Sequence, residues 1–171
     1  MNYLKNIPRS ISKLHYDIFP TVAKGSYIYT TDTKYLDLTS GIGALSTGHN
    51  HPLVVKKVEK QLRKYVHMPQ QIFQSHPAQV ELTEKLLKTM PSTRLDNVFY
   101  VSSGSEATDN AIKIARVYTG KSNIIAMNRG FHGRTIAALS ITSSNTVCKN
   151  GISPLLPNIF FCHDFTKDAI D

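Results

Sequence analysis

Two short segments of this chain combine residue types that could bind an anion and a flat organic ring. The first reads SSGSEATDNAIKIAR, covers residues 102–116 and follows a short apolar stretch. This order predicts a turn from a strand into a helix, whose first N–H groups lack partners and attract anions. Gly104 would let a phosphate approach the main chain, and Ser103 and Ser105 could donate hydroxyl protons. Ser103 with Glu106 equally fits a capping box, which is a purely structural role.

The second segment, GFHGRT, covers residues 130–135 after another apolar stretch. Phe131 could stack on a heteroaromatic ring. Arg134 offers a forked donor that suits a carboxylate. The structural alternative places Phe131 in the core and Arg134 in a surface ion pair. His132 could be a general base, although a neutral packing histidine is the favoured interpretation.

A third cluster, His49-Asn50-His51, has a spacing that invites a metal interpretation. No Cys, Asp or Glu lies close by in sequence to complete a ligand set. Entry into the following helix is a sufficient local role, because Asn50 or His51 can cap the helix and Pro52 can begin it. We therefore predict no metal site.

The elements that position these segments follow from hydrophobic periodicity and turn residues. Residues 1–24 are predicted to be an irregular lead-in, followed by two strands joined by a polar turn and then by a glycine-rich loop. Two helices come next. The predicted bounds are 26–31 and 35–39 for the strands, 40–52 for the loop, and about 52–66 and 77–90 for the helices.

The first of these helices has an apolar stripe and a basic face. The stripe is predicted to be buried and consists of Val54, Val55, Val58, Leu62 and Val66. The basic face could bind a nucleic acid or an anionic membrane, but a solvated helix face is favoured because no aromatic residues lie among the basic ones. This face consists of Lys56, Lys57, Lys60, Arg63 and Lys64.

Alternating strands and helices are predicted from residue 97 onward. Strands are expected at 98–101, 123–127 and 158–162, a helix at 105–118, and either a helix or a strand at 135–142. The helix is predicted to bury one stripe, namely Ala107, Ala111, Ile114, Ala115 and Tyr118. Strands that alternate with helices imply a mainly parallel sheet. The fold class is therefore α/β, preceded by a small β-rich N-terminal arm.

Composition fits a soluble globular protein. The chain has 171 residues, 41% of them hydrophobic, a formal charge of +8 and two cysteines without metal-like spacing. No apolar run approaches the length that spans a bilayer. We expect a cytoplasmic protein. A mitochondrial location is the alternative, since basic residues precede the first acid, although Pro8 interrupts the presequence pattern.

Three segments in this order, SGIGALSTGHNHP (40–52), SSGSEATDNAIKIAR and GFHGRT, resemble the class III pyridoxal-phosphate-dependent aminotransferases, most of all the 4-aminobutyrate aminotransferases. The resemblance implies an incomplete fold type I transferase of the aspartate-aminotransferase kind. On that basis residues 1–50 are the N-terminal arm with short antiparallel strands. Residues 51–171 are the first part of the large cofactor-binding α/β domain.

The resemblance also implies roles for individual residues. Gly104 and Ser105 correspond to residues that hold the phosphate of pyridoxal 5'-phosphate. Phe131 corresponds to the ring that stacks on the pyridine face, with His132 beside it. Arg134 corresponds to a clamp for the substrate carboxylate. Two further residues border the substrate pocket of relatives, and these correspond to Ile42 and Gln71. The loop 40–51 resembles a dimer-interface segment, so a homodimer is expected in the intact family, with no nucleic-acid or membrane partner.

Family members are much longer than this chain. Their remaining part carries the lysine that forms the Schiff base and the aspartate that pairs with the pyridine nitrogen, and no lysine here has the flanking pattern. We expect no catalytic residue within the chain and no turnover by the chain alone. The implied reaction transfers an amino group from an omega-amino acid such as 4-aminobutyrate to a 2-oxo acid. The alternative is a non-catalytic scaffold or a regulatory partner of a full-length paralogue.

Overall fold

The computed structural model describes residues 18–69, 75–144 and 146–163. Its contacts divide the chain into two compact units, Met1–Gln79 and Val80–Asp171, and each is described by itself. Gln71, a predicted pocket residue, lies outside the described residues. The domain boundary at residue 50 stays a prediction.

A three-stranded antiparallel sheet forms the start of the first unit. Its strands are β1 (Val22–Lys24), β2 (Tyr27–Tyr29) and β3 (Lys34–Leu36), with β2 in the middle. The small β-rich arm is thereby confirmed. Its first strand corrects the prediction of an irregular lead-in to residue 24, because a turn at Gly25 (φ +59°) folds β1 back onto β2.

Loop 40–52 contains a four-residue turn, α1 (Ser40–Gly43), with left-handed dihedral angles. Helix α2 (Pro52–Leu62) follows and begins at Pro52, as predicted. His51 is the residue that precedes the helix, and its side chain makes no capping bond. Asn50 instead donates from Nδ2 to the Ala23 carbonyl at 2.8 Å, which ties the loop to the sheet.

The predicted burial of the α2 stripe is wrong within the described residues. Val54, Val58 and Leu62 are half-exposed, and Val66 lies beyond the helix end and is exposed. These side chains therefore do not form a buried core in the described residues. The basic residues of the helix are exposed, in agreement with a solvated face.

Helix α3 (Pro77–Thr89) spans the division between the units. Its surface carries an ion pair between Lys85 Nζ and Glu81 Oε1 at 2.6 Å, one helical turn apart. The predicted bounds of this helix agree with the structure to within one residue.

The second unit contains helix α4 (Gly104–Thr119), strand β4 (Ile124–Met127), helix α5 (Ile136–Ile141), a short 3-10 turn (Thr146–Lys149) and strand β5 (Ile159–Cys162). Strands β4 and β5 pair in parallel from Ile124–Ile159 to Met127–Cys162. The parallel α/β prediction is confirmed. Residues 98–101 do not form the predicted strand, because they have no ladder partner in the described ranges.

A small core joins α4, β4 and α5 through Ile112, Ala126 and Ile141. The predicted burial of the α4 stripe is wrong, since Ile114 and Tyr118 are exposed. Four of the five half-buried positions instead share the face of Ile112, namely Ser105, Thr108, Asp109 and Arg116, and the fifth is Asn110. Polar residues occupy this face because they hydrogen-bond to α5 and to the loop before it.

No helix among the described residues is both long and apolar enough to cross a bilayer.

Candidate functional site

The start of α4 leaves two main-chain donors free. Ser103 Oγ accepts from the Glu106 N–H at 3.2 Å, and Glu106 Oε2 accepts from the Ser102 N–H at 2.7 Å, so the capping interaction predicted from the sequence is present. The N–H groups of Gly104 and Ser105 have no acceptor within the described residues. Two adjacent free N–H groups at the positive end of a 16-residue helix favour an anion, so this helix start is a candidate anion site.

Space is available at this helix start. A Cβ built on Gly104 would meet no atom within 4 Å. Glycine is therefore not required here by packing or by a positive φ. The position is open to an approaching anion, which fits the phosphate role that the sequence predicts.

Hydrogen bonds from α4 fasten loop 130–135 beside this helix start. Ser105 Oγ accepts from the Arg134 N–H at 3.3 Å, and Thr108 Oγ1 lies 3.0 Å from the His132 carbonyl. Asp109 Oδ1 accepts from Thr135 Oγ1 at 2.9 Å. The two segments singled out in the sequence are thus adjacent in the structure, about 25 residues apart along the chain.

The buried Thr142 secures the loop from its other side. Its Oγ1 accepts from the His132 N–H at 3.0 Å and lies 3.1 Å from the Gly133 carbonyl. The Ser143 N–H donates to the Gly130 carbonyl at 2.8 Å. Because both ends and the middle of the loop are bonded, it presents its side chains from a fixed backbone.

Gly133 makes the close approach of loop and helix possible. Its φ is +134°, and a Cβ there would overlap Ser105 Oγ and lie 2.9 Å from the Ala138 Cβ. Any other residue would push the loop away from Ser105. The glycine therefore sets the distance between the anion site and the loop.

The side chains of the loop differ in exposure. Phe131 is 65% exposed, so the alternative of a core residue is wrong. Arg134 is exposed and forms no ion pair within the described residues, which leaves its guanidinium available to a ligand. His132 is half-buried, and its Nε2 is buried without a hydrogen-bond partner. Burying a ring nitrogen without a partner costs desolvation free energy. Among the described residues of this site, His132 Nε2 is the one buried side-chain polar atom without a hydrogen bond.

Ile42 belongs to the first unit and not to the cluster above. It sits in α1 with φ 61° and ψ 47°, and its side chain is 97% exposed. A β-branched residue in the left-handed region is an outlier that costs about 1–2 kcal/mol. Its substrate role stays a prediction.

The histidine cluster does not form a metal centre in the described residues, where no group of three or more His, Cys, Asp or Glu could hold an ion. His49 Nε2 instead lies 2.7 Å from Asp37 Oδ2. The Thr39 hydroxyl and the His49 ring hold the pKa of the Asp37 carboxyl well below its usual range.

Thr108, Asp109 and Thr142 position the site and were not predicted from the sequence. A signal existed for Thr108 and Asp109, because they lie three and four residues after Ser105 and must share its helix face. Nothing in the sequence points to Thr142, whose partners come from a loop nine and ten residues earlier.

The residues present fit a phosphorylated flat ring. The free N–H groups and the open glycine suit an anion, and the exposed phenyl ring suits stacking on a flat ring. The buried His132 Nε2 beside them lacks a hydrogen-bond partner. Together with the parallel sheet and helices, this arrangement is a candidate phosphate site in an α/β protein.

The model of the family described as Aminotransferase class-III matches residues 9–168. The chain is 36% identical to a probable 4-aminobutyrate aminotransferase of Bacillus subtilis, over 80% of this chain and 31% of that protein. It is 38% identical to the 5-aminovalerate aminotransferase DavT of Pseudomonas putida, over 90% of this chain and 36% of that protein. The chain belongs to the class III aminotransferase family.

Solved structures agree with this assignment. An amine transaminase from an uncultivated Pseudomonas species, in its PLP-bound form, superposes with a TM-score of 0.77 at 25% identity over 84% of this chain and 34% of that one. The ornithine aminotransferase of Toxoplasma gondii superposes with a TM-score of 0.80 at 22% identity, over 94% of this chain and 39% of that one. At this identity it supports the fold alone. The family and the PLP-bound amine transaminase indicate pyridoxal 5'-phosphate as the cofactor.

The chain spans about a third of the length of the curated relatives it matches. These relatives are bacterial and lend no support to a mitochondrial location. A cytoplasmic location and a homodimer stay predictions.

Proposed function

We propose that this chain supplies the phosphate cradle and ring shelf of a class III aminotransferase. Gly104 and Ser105 bind the phosphate of pyridoxal 5'-phosphate through their free N–H groups. Phe131 stacks on the ring, with His132 beside it, and Arg134 binds the substrate carboxylate. The observation that carries this proposal is the set of hydrogen bonds that holds loop 130–135 against the start of α4.

The cofactor, when bound, supplies the electron sink for amino-group transfer. The chain's own residues bind and orient the cofactor and the substrate. Four donor groups are available to anions: the two N–H groups, the Ser105 hydroxyl and the Arg134 guanidinium. Ser105 Oγ already accepts from the Arg134 N–H, so its own proton remains free for a phosphate oxygen.

The proposed substrates are an omega-amino acid such as 4-aminobutyrate and a 2-oxo acid. The support comes from the names of relatives, among them the 4-aminobutyrate aminotransferase GabT of Escherichia coli at 39% identity. An exposed, unpaired arginine on a fixed loop suits the carboxylate that such substrates share.

The anion site is tested by titrating the chain with inorganic phosphate and then with pyridoxal 5'-phosphate while recording amide NMR spectra. The Gly104 and Ser105 amides should shift in a saturable way with both ligands. In Gly104→Ala the added methyl enters the open space, so affinity should fall about tenfold or more while the fold is kept. Ala111→Ser, further along the same helix, is the control and should bind like the wild type. Unchanged Gly104 and Ser105 signals would refute the proposal.

We further propose that the chain alone has no transaminase turnover. Lys113 is the lysine of α4, and its Nζ donates to Asn110 Oδ1 at 3.2 Å on the exposed face of the helix. A lysine that acts at neutral pH needs a lowered pKa and a place at the cofactor carbonyl. Incubation with 4-aminobutyrate, 2-oxoglutarate and pyridoxal 5'-phosphate should give no glutamate above the protein-free control. Enzymatic turnover would show that an active lysine is present.

A role as a non-catalytic partner of a full-length paralogue is the second candidate. It is favoured by the exposed apolar side chains on α4, where Ile114, Val117 and Tyr118 are 59%, 85% and 90% exposed. Co-purification of the chain with a tagged full-length paralogue would support it. Migration of the two as separate species would exclude it.

A further inference from the structure

The α1 turn is held in a conformation that its sequence disfavours. Its four residues all have positive φ, namely Ser40 (48°), Gly41 (62°), Ile42 (61°) and Gly43 (79°). Gly41 and Gly43 accept such angles, but Ser40 and Ile42 do so at a steric cost. The Ile42 side chain is almost fully exposed, so its own burial does not offset that cost. Other contacts must hold the turn.

The Asp37 carboxylate makes most of those contacts, and Ser40 Oγ adds a bond to the Leu45 carbonyl at 3.2 Å. Its Oδ1 accepts from the Thr39 N–H at 2.9 Å, from Thr39 Oγ1 at 2.6 Å and from the Ser40 N–H at 3.1 Å. Its Oδ2 lies 2.7 Å from His49 Nε2, and the Asp37 side chain is 7% exposed. One carboxylate thus bonds the start of the turn and a residue at the far end of the loop. Bonds of this kind to a charged acceptor are the stronger ones.

His49 is itself fixed by the sheet. Its carbonyl accepts from the Gly25 N–H at 2.9 Å, and its N–H donates to the Gly25 carbonyl at 2.8 Å. Gly48 (φ +75°) permits this approach, since a Cβ there would lie 2.8 Å from the Gly25 oxygen. The imidazole therefore reaches Asp37 from a rigid support.

We propose that Asp37 and His49 form a positioning pair that holds α1 left-handed and thereby presents Ile42 to the amino donor. Neither residue touches the substrate in this role, and both act through α1. The inference rests on the proposed function and on the substrate-pocket role of Ile42 that the family resemblance implies. The groups that carry it all lie in the first unit.

The test compares His49→Ala with His51→Ala in the 171-residue chain without cofactor. His51 lines the same cleft of about 530 Å³ as Asp37 and His49, but its Nδ1 is buried without a partner. The readout is amide hydrogen exchange of Gly43, Ala44 and Leu45, whose N–H groups donate to Thr39 and Ser40 carbonyls. Exchange should accelerate at least about tenfold in His49→Ala and by less than about threefold in the control.

A rescue experiment separates positioning from general destabilisation. Asparagine adopts the left-handed region far more readily than isoleucine. In an Ile42→Asn background, loss of His49 should therefore accelerate exchange much less than it does in the wild type. NMR coupling constants that report the sign of φ should show residue 42 leaving positive φ in His49→Ala and keeping it in the double variant.

Equal exchange in His49→Ala and the wild type would overturn the inference, and so would the same acceleration in both backgrounds. Should His49→Ala fail to fold, Asp37→Asn serves instead, because it keeps an oxygen acceptor for Thr39 and Ser40 and removes the charge that faces His49. These readouts need no phosphate or cofactor. Failure of the phosphate titration at α4 is therefore distinguishable from failure here.

Discussion

Two aspartates join segments that are distant in sequence. Asp37 links α1 to His49, twelve residues away, and Asp109 links α4 to Thr135 and Ala138, 26 and 29 residues away. Each carboxylate accepts several donors that would otherwise lack a partner. Substitutions that remove either carboxylate therefore test the contacts between these distant segments.

Asp37 should make the stability of the chain depend on pH in acid. Its pKa is lowered in the folded state, so its contribution is complete above the unfolded value of about 3.9 and is lost as the pH falls toward the folded value. Asp37→Asn should reduce the free energy of unfolding at pH 7, and the difference from the wild type should shrink progressively below about pH 4. Urea unfolding between pH 7 and pH 3 measures this.

The control for that experiment is Asp32→Asn, which removes an exposed carboxylate from the turn before β3. It should leave the pH dependence like that of the wild type. His49 is the titratable group that faces Asp37. A difference between Asp37→Asn and the wild type that stays constant from pH 7 to pH 3 would contradict the argument.

Gly133→Ala should separate the loop from the anion site. Its methyl group would overlap Ser105 Oγ, and its φ of +134° is disfavoured for alanine. A loss of about 1–3 kcal/mol in unfolding free energy is expected, together with weaker phosphate-induced shifts at Ser105. Gly151→Ala is the matched control, because Gly151 has φ +75° but no atom within 4 Å of a built Cβ. Equal effects of the two substitutions on phosphate binding would show that the contact at Ser105 is unimportant.

The short helix α5 depends on a side chain from another element. It has only six residues, and its preceding residue, Thr135, makes no capping bond to it. Asp109 of α4 accepts from the Ala138 N–H at 2.9 Å and so serves as a cap from outside the helix. The orientation of loop 130–135 and the formation of α5 are therefore coupled.

Asp109→Ala should destabilise α5 and the loop together. A loss of about 0.5–2 kcal/mol is expected, as for removal of a helix cap. Faster amide exchange at Ala138 and a change in the His132 amide signal would accompany it. Asn110→Ala is the control, since the Asn110 side chain bonds to the Glu106 carbonyl and to Lys113 Nζ within the same helix. An Ala138 amide that exchanges as slowly as in the wild type would exclude the cap.

Most element types were predictable, because periodicity and turn residues report local conformation. The parallel pairing of β4 and β5 also followed, since a helix lies between them in the sequence. The prediction of a strand at 98–101 was wrong, because a strand needs a neighbouring strand for its main-chain hydrogen bonds and the local sequence does not show whether one is present. Which face of a helix is buried likewise depends on what packs there.

At the scale of the molecule, the apolar side chains that would form a larger core are on the surface. Few side chains are fully buried, among them Leu139 and Thr142, whereas α2 and α4 each expose an apolar stripe. Stripes of this size promote association in water.

Val117→Lys combined with Tyr118→Lys should reduce self-association of the chain. Both side chains are exposed and apolar, so the change removes hydrophobic surface without disturbing the core. Sedimentation velocity at increasing concentration measures the effect. Ser122→Lys with Asn123→Lys is the charge-matched control, because both residues are exposed and polar. If the control lowers association equally, charge and not the α4 stripe is responsible.

The sequence by itself determined the family, the cofactor and the order of the binding segments, because short motifs such as SSGSEATD and GFHGRT carry their chemistry in adjacent residues. Only the tertiary structure decided that Asp109 and Thr142 fasten the loop, that Phe131 is exposed, and that Asp37 and His49 restrain the turn of Ile42. These facts depend on distances between residues far apart in the chain. Local propensity carries no information about such distances, and burial depends on which elements meet.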